Sequence, residues 1–308
     1  MRYDARNHTL CDFPHAHPVP ATRLHHLTGP TAQAANRLLD LAANIPLAGI
    51  ERSCKLSQGV MSRDRLLMGQ SSALLAGTSL EAAHRHLGLP ASARSAYEQD
   101  RQRANFVYLG FDGSADKLSY RIYLEFPVNL AQQLDPSTAQ MTPALLARGY
   151  KWDALETASE RYDVTDYWWH PRLTVDQINL RLAALWTQQH KAPAALAAPA
   201  LSATQTLVKK AIDLARQRAN ALDWQYLEVT EPASLRHSFD LNVYQANVLM
   251  KELGSELAAL GEALRIPKTE VDAFLADVGE ATLGHVSGGV GRDGLPFLTV
   301  YYADPDAA

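Results

Sequence analysis

Five times along the 308 residues, two strand-like runs joined by a short turn stand between runs of helical periodicity. The pairs lie in Ile45–Gly69, Asn105–Phe126, Tyr150–Trp169, Asp223–Tyr244 and Thr282–Tyr302. A unit of about 40 to 60 residues, helix–strand–strand–helix, therefore recurs, and recurrence at that period decides architecture before any single residue does. Ten antiparallel strands in five hairpins leave two exposed edges unless the sheet closes on itself. Closure gives a barrel wide enough to enclose a ligand. The amphipathic helices then have one place to bury their apolar stripes, the outer face of the barrel. The expected fold class is α+β: a closed ten-stranded antiparallel barrel with a polar lumen, surrounded by helices.

Such a barrel inverts the usual alternation, with apolar residues outward and polar residues inward. In "KLSYRIYLEF", Leu118, Tyr120, Ile122, Leu124 and Phe126 form one face. Lys117, Ser119, Arg121, Tyr123 and Glu125 form the other, with a period of two. Ser238, Asp240, Asn242 and Tyr244 alternate with Phe239, Leu241 and Val243, and Thr299 and Tyr301 with Leu298 and Val300. In the first hairpin, Met61, Arg63, Arg65 and Leu67 alternate with Ser62, Asp64, Leu66 and Met68, so Asp64 falls on the outer set.

Between the hairpins, Thr174 with Gln177 reads as a capping box, and Ser202 with Gln205 as a second. Leu249, Leu253, Leu257, Leu260 and Leu264 form an apolar stripe. "KAPAALAAPA" (Lys191–Ala200) reads as a linker. The domain reading is an N-terminal arm over 1–24, one barrel domain over 25–303 and a tail over 304–308.

The composition, 47% hydrophobic and 20% charged, is that of a globular chain, and the formal net charge of −4 argues against nucleic acid as a partner. Two cysteines, Cys11 and Cys54, give neither a disulfide framework nor a CxxC metal site. "MRYDARNHTL" lacks an apolar core, and no apolar run reaches the length of a membrane span. The expectation is a cytoplasmic monomer or weak homodimer that binds neither membrane nor nucleic acid. His8, Cys11, His15 and His17 cluster in sequence, but in a Pro-rich arm with no helix or hairpin to fix them as ligands. "GHVSGGVGRDG" lies between two strands and opens no helix, so it reads as a hairpin turn and not a phosphate loop.

A lumen with Arg65, Lys117, Arg121 and several tyrosines suits a diphosphate. Guanidinium and ammonium groups offset its charge, and tyrosine hydroxyls donate to its oxygens. Tyrosine faces also stabilise a carbocation. These needs coincide in prenyl transfer, where an allylic carbon–oxygen bond breaks, diphosphate departs and the cation alkylates a nucleophile behind walls that exclude water.

The order of elements resembles the ABBA barrel of aromatic prenyltransferases. More narrowly, "IERSCKLSQGVMSRDRLL" (Ile50–Leu67) resembles the first hairpin of cyanobactin peptide prenyltransferases. There an acidic residue precedes Ser-Cys-Lys and an arginine follows ten residues after the lysine; here these are Glu51, Lys55 and Arg65. "GFDGSADKLSYRIYLEFP" is similar to that family's second hairpin, with Tyr123 standing where the family often has lysine. "GYKWDAL" and "FLTVYY" are similar to its third and fifth hairpins.

The resemblance implies transfer of a C5 or C10 allyl group from dimethylallyl or geranyl diphosphate to a side chain of a ribosomally made, often macrocyclic, peptide, typically with Mg²⁺. It places Arg65, Lys117 and Arg121 on the diphosphate and Glu51 on the acceptor as base or orienting group, in preference to Asp240. Tyr123, Tyr244 and Tyr301 would shield the cation. The metal ligands are not identified. Two other readings stand beside it: the same fold acting on a free amino acid or small aromatic metabolite, and a non-catalytic barrel that binds an anionic ligand or a peptide.

Overall fold

The structure, a computed structural model, describes residues 27–43, 45, 47–75, 86–114, 117–135, 140–156, 159–188, 194–232, 237–291 and 294–303. The arm that carries His8, Cys11, His15 and His17, and the tail 304–308, lie outside the described residues.

The five predicted pairs are five hairpins. They comprise β1 (Gly49–Ser57) with β2 (Asp64–Ser71), β3 (Phe106–Gly113) with β4 (Leu118–Glu125), and β5 (Ala144–Asp153) with β6 (Asp163–His170). The last two are β7 (Gln225–Thr230) with β8 (His237–Asn242), and β9 (Leu283–Val290) with β10 (Pro296–Ala303). Each strand is antiparallel to the next along the chain, and β1 pairs back onto β10 with Ser53 opposite Tyr301 and Lys55 opposite Thr299. That last ladder leaves the ten strands no free edge, which removes the hazard of an open sheet. A short strand, Val60–Ser62, folds back on β1 at the first turn.

The alternation is inverted as the sequence implies. Leu118, Ile122 and Leu124 are 0% exposed on the outer face of β4, packed with Ala34, Ala35 and Leu38 of α1 (Gly29–Ala42) and Tyr97 of α2 (Ala91–Arg101). A second outer core joins Phe239, Leu241, Val286, Leu298 and Val300 to α3 (Val175–Gln188), α4 (Ala194–Ala215), α5 (Gly254–Ala263) and α6 (Lys268–Val278). Each buried Leu, Val or Phe there contributes roughly 1.5–3 kcal/mol relative to exposure. The lumen is thus walled by strands whose positions two outer cores fix.

Four local expectations change. The linker is in part the first turns of α4, which starts at Ala194 and carries Pro199 inside it. Alanine is the best helix former, and its run carries the helix through one proline. Ser202 consequently lies mid-helix and caps nothing, whereas Thr174 and Gln177 do form the reciprocal box, at 2.8 and 3.3 Å. Tyr244 lies past the end of β8, in the single turn Tyr244–Ala246. Arg63 leaves the lumen set: it pairs with Asp277 of α6 at 2.6 Å. Among the described residues no helix is long and apolar enough to cross a membrane.

Candidate active site

Inward-facing residues of β2 to β5 build a basic cluster at one region of the lumen. Cross-strand register sets it: Arg65 stands opposite Asp112, and Arg121 opposite Lys151. Asp112 joins them. Its Oδ1 lies 2.6 Å from Arg65 Nη1, its Oδ2 accepts from Arg121 Nη2, and Lys151 Nζ is 3.6 Å from the same Oδ2. Burial alone would raise the Asp112 pKa. Arg65, Arg121 and Lys151 outweigh that and hold the carboxyl well below its ordinary value, so it is ionised. Arg65 Nε also donates to Ser53 Oγ at 3.0 Å, which fixes the guanidinium against β1. Lys55 completes the cluster, its Nζ 4.8 Å from the Phe297 ring centroid.

A cavity of about 360 Å³ opens on this cluster and is walled by Lys55, Arg65, Arg121, Lys151, Tyr301 and Asp240, among others. Tyr123, Tyr167 and Tyr301 line it and also a smaller chamber of about 40 Å³ beyond it. Tyr123 and Tyr167 meet edge to face, with centroids 5.6 Å apart. Gly149 makes room for that arrangement, because a Cβ there would come within 2.8 Å of the Tyr123 ring. Burial raises the pKa of Tyr167 and of Tyr301, which keeps both hydroxyls protonated and able to donate.

The smaller chamber ends on an acidic chain. Glu51 is 1% exposed. Its Oε1 accepts from the Tyr244 hydroxyl at 2.7 Å and lies 3.7 Å from His285 Nε2. His285 Nδ1 is 2.7 Å from Asp240 Oδ1. Gly284 admits the Tyr244 ring, since a Cβ there would stand 2.2 Å from it. Asp240 lines both chambers, and Glu51 lines the smaller one. Cations, aromatic faces and a carboxylate therefore follow one another along a closed lumen.

Arg65, Arg121, Tyr123 and Tyr301 of the sequence-derived set line the larger cavity. Glu51 faces the smaller chamber, paired with Tyr244 and not with Arg65. Tyr244 supports Glu51 and is not among the lining residues of either chamber. Lys117 is exposed, one residue ahead of β4, and lines neither chamber; Lys151 occupies the lining position instead. Asp112, Tyr167 and His285 escaped sequence reasoning. Lys151 sits within "GYKWDAL", where the alternation with Gly149 gave a signal that was there to be used.

For Mg²⁺ the donor set does not fit a resident ion. Among the described residues no group of His, Cys, Asp and Glu is arranged to hold a metal, and Asp112 is committed to Arg65, Arg121 and Lys151. Side-chain cations are the groups in place to offset an anion's charge.

No family model matches the chain, and no curated protein matches it in sequence. Solved structures do match it. One, described as 6-dimethylallyl tryptophan synthase, is 13% identical, with 89% of this chain and 95% of that one covered at a TM-score of 0.51. Another, described as a PriB binary complex with product diphosphate, is 14% identical over 90% and 91% of the two chains at a TM-score of 0.53. At such identities the likeness is one of fold: the chain has the closed ten-stranded barrel of the ABBA type, ringed by helices.

Proposed function

We propose that the protein is a prenyltransferase that uses a prenyl diphosphate donor inside its barrel. The observation that carries this reading is the run, in one lumen, of a Lys–Arg cluster, a tyrosine belt and a buried carboxylate. Two solved structures of the same fold, a dimethylallyl tryptophan synthase and a complex with product diphosphate, support it.

In this reading Arg65, Arg121, Lys151 and Lys55 hold the diphosphate. Charge-assisted bonds from planar guanidinium groups suit its oxygens and strengthen as the leaving group takes up charge. The allylic carbon–oxygen bond breaks with its electron pair going to diphosphate. Tyr123, Tyr167 and Tyr301 offer π density to the cation, and the closed wall limits capture by water. The cation alkylates the acceptor, and Glu51, held by Tyr244, takes the proton that the acceptor loses.

The acceptor is a side chain of a peptide, on the motif resemblance of Ile50–Leu67, and the donor carries a C5 or C10 chain. A second acceptor class, free tryptophan or another small aromatic molecule, is favoured by the name of the similar tryptophan synthase. Incubation with dimethylallyl or geranyl diphosphate, with and without Mg²⁺, separates the two. One arm contains a mixed library of linear and cyclic peptides and the other free aromatic amino acids, and mass spectrometry reads the products. Prenylated peptide confirms the first class, and prenylated free amino acid alone the second. Donor that survives in every arm contradicts prenyl transfer.

A further inference from the structure

Lys55, Arg65, Arg121 and Lys151 face one cavity, and the carboxylate that joins three of them is Asp112. Its two oxygens are not shared evenly. Arg65 takes Oδ1 at 2.6 Å and Arg121 takes Oδ2, while Lys151 Nζ stands off at 3.6 Å. Across the ladder Lys151 faces Arg121 on one side and Asp163 on the other. Arg65 of β2, Lys55 of β1, Glu231 and Asp240 line the same cavity. Of the three cations that Asp112 joins, Lys151 is thus the farthest from the counter-charge. It is also a lysine, and an ammonium can give up its proton where a guanidinium cannot.

We infer that at mildly alkaline pH Lys151 stands as a neutral amine without the donor and takes up a proton when a prenyl diphosphate binds, so that donor binding is linked to proton uptake at this one side chain. The inference rests on the reading of the basic cluster as the diphosphate site.

Burial and then the charge of Arg121, with Arg65 and Lys55 adding to it, lower the Lys151 pKa from 10.5 to about 7, against the opposing pull of Asp112. A bound diphosphate reverses the balance of charge around Nζ and raises that pKa. The sign follows. Below about pH 6 Lys151 is protonated in both states and binding moves no proton at this side chain. Above about pH 7 the free protein has lost the proton that the complex keeps, and donor affinity falls by up to about tenfold per pH unit.

The test is calorimetric titration of the whole chain with dimethylallyl diphosphate, without acceptor, in two buffers of different ionisation heat. At about pH 8 the donor is fully ionised, so the proton comes from the buffer to the protein. The expected result is uptake of nearly one proton per donor at about pH 8; at about pH 6, where the donor's own second ionisation contributes, wild type and Lys151→Arg should exchange the same number of protons. Lys151→Arg, charged at every accessible pH, should still bind the donor and take up no proton at about pH 8. Lys151→Met should bind at least about tenfold more weakly at about pH 6, with no uptake at about pH 8. Binding without uptake in the wild type, or uptake that persists in either variant, overturns the inference and leaves the diphosphate site standing. A wild-type protein that does not bind dimethylallyl diphosphate overturns the site and the inference together.

Discussion

The Tyr244 hydroxyl donates to Glu51 Oε1 at 2.7 Å, across 193 positions of sequence. Glu51 comes from the first barrel strand and Tyr244 from the turn after the eighth, and barrel closure brings them together. A buried carboxylate with a donor on one oxygen keeps a fixed direction. If that carboxylate takes the acceptor's proton, Glu51→Gln should lower turnover roughly 10²-fold or more, within the range for a general base, and leave donor affinity unchanged. Tyr244→Phe should cost less, about tenfold, because it loosens Glu51 without removing it. Steady-state kinetics alongside donor titration checks both. A loss of donor affinity in Glu51→Gln with turnover intact would make Glu51 a structural partner.

Gly284→Ala tests the same contact from behind. The added Cβ would stand 2.2 Å from the Tyr244 ring, so the ring must move. The expected outcome is a fall in turnover as large as that of Tyr244→Phe, together with a lower melting temperature. In the double variant Gly284→Ala/Tyr244→Phe the two effects on turnover should not add, since one bond is lost once. Additive losses would separate Gly284 from Tyr244.

The basic cluster predicts a different signature. Arg65→Ala and Arg121→Ala should each cost about 2–4 kcal/mol in transition-state stabilisation, as loss of one preorganised donor does. Near-normal kinetics in either variant removes that arginine from the site. Asp112→Ala should act on the free protein. It leaves Arg65, Arg121 and Lys151 facing one another, so the melting temperature should fall by several degrees, and dimethylallyl diphosphate should restore more of it than in the wild type. Thermal shift with and without the donor reads this, and an equal donor effect in both proteins would contradict it.

Outside the barrel, Asp100 of α2 is 4% exposed and joins Arg103 at 2.6 Å, Arg148 at 3.1 Å and the Tyr150 hydroxyl at 2.8 Å. Burial alone would raise its pKa. The hydrogen bonds from Tyr150, Arg103 and Arg148 outweigh that and lower it. A carboxylate with a depressed folded pKa adds stability above its ordinary value of 3.8, and that stability is lost as pH falls through the folded value. Urea unfolding from about pH 6 to about pH 3 should show wild type and Asp100→Asn converging as the pH drops. A constant gap between them would contradict the role of charge.

The barrel was legible because closure is forced. Inverted alternation in β4, β8 and β10 leaves the polar face nowhere else to go, and Arg121, Tyr123 and Tyr301 followed from parity, whereas Arg65 lay in a hairpin of mixed alternation and rested also on the motif resemblance. Residues at strand ends were not legible from parity. Lys117 has the parity of Arg121 yet precedes the strand and meets solvent, and Tyr244 continues the alternation of β8 only in sequence, since the chain turns at Val243. Nothing in its own segment marks Asp112, and only the pairing of β3 with β2 sets it against Arg65. His285 lay in a glycine-rich hairpin whose pattern points to a turn. Its contact with Asp240 depends on the register between β8 and β9, which no single segment contains.

The most direct measurement is a crystal structure of the protein with dimethylallyl S-thiolodiphosphate, a donor analogue that does not ionise readily. The account predicts diphosphate oxygens within hydrogen-bond distance of Arg65, Arg121 and Lys151, and the allylic carbon among Tyr123, Tyr167 and Tyr301 on the way to Glu51. An analogue bound outside the lumen, or one whose diphosphate lies away from both arginines, would contradict it.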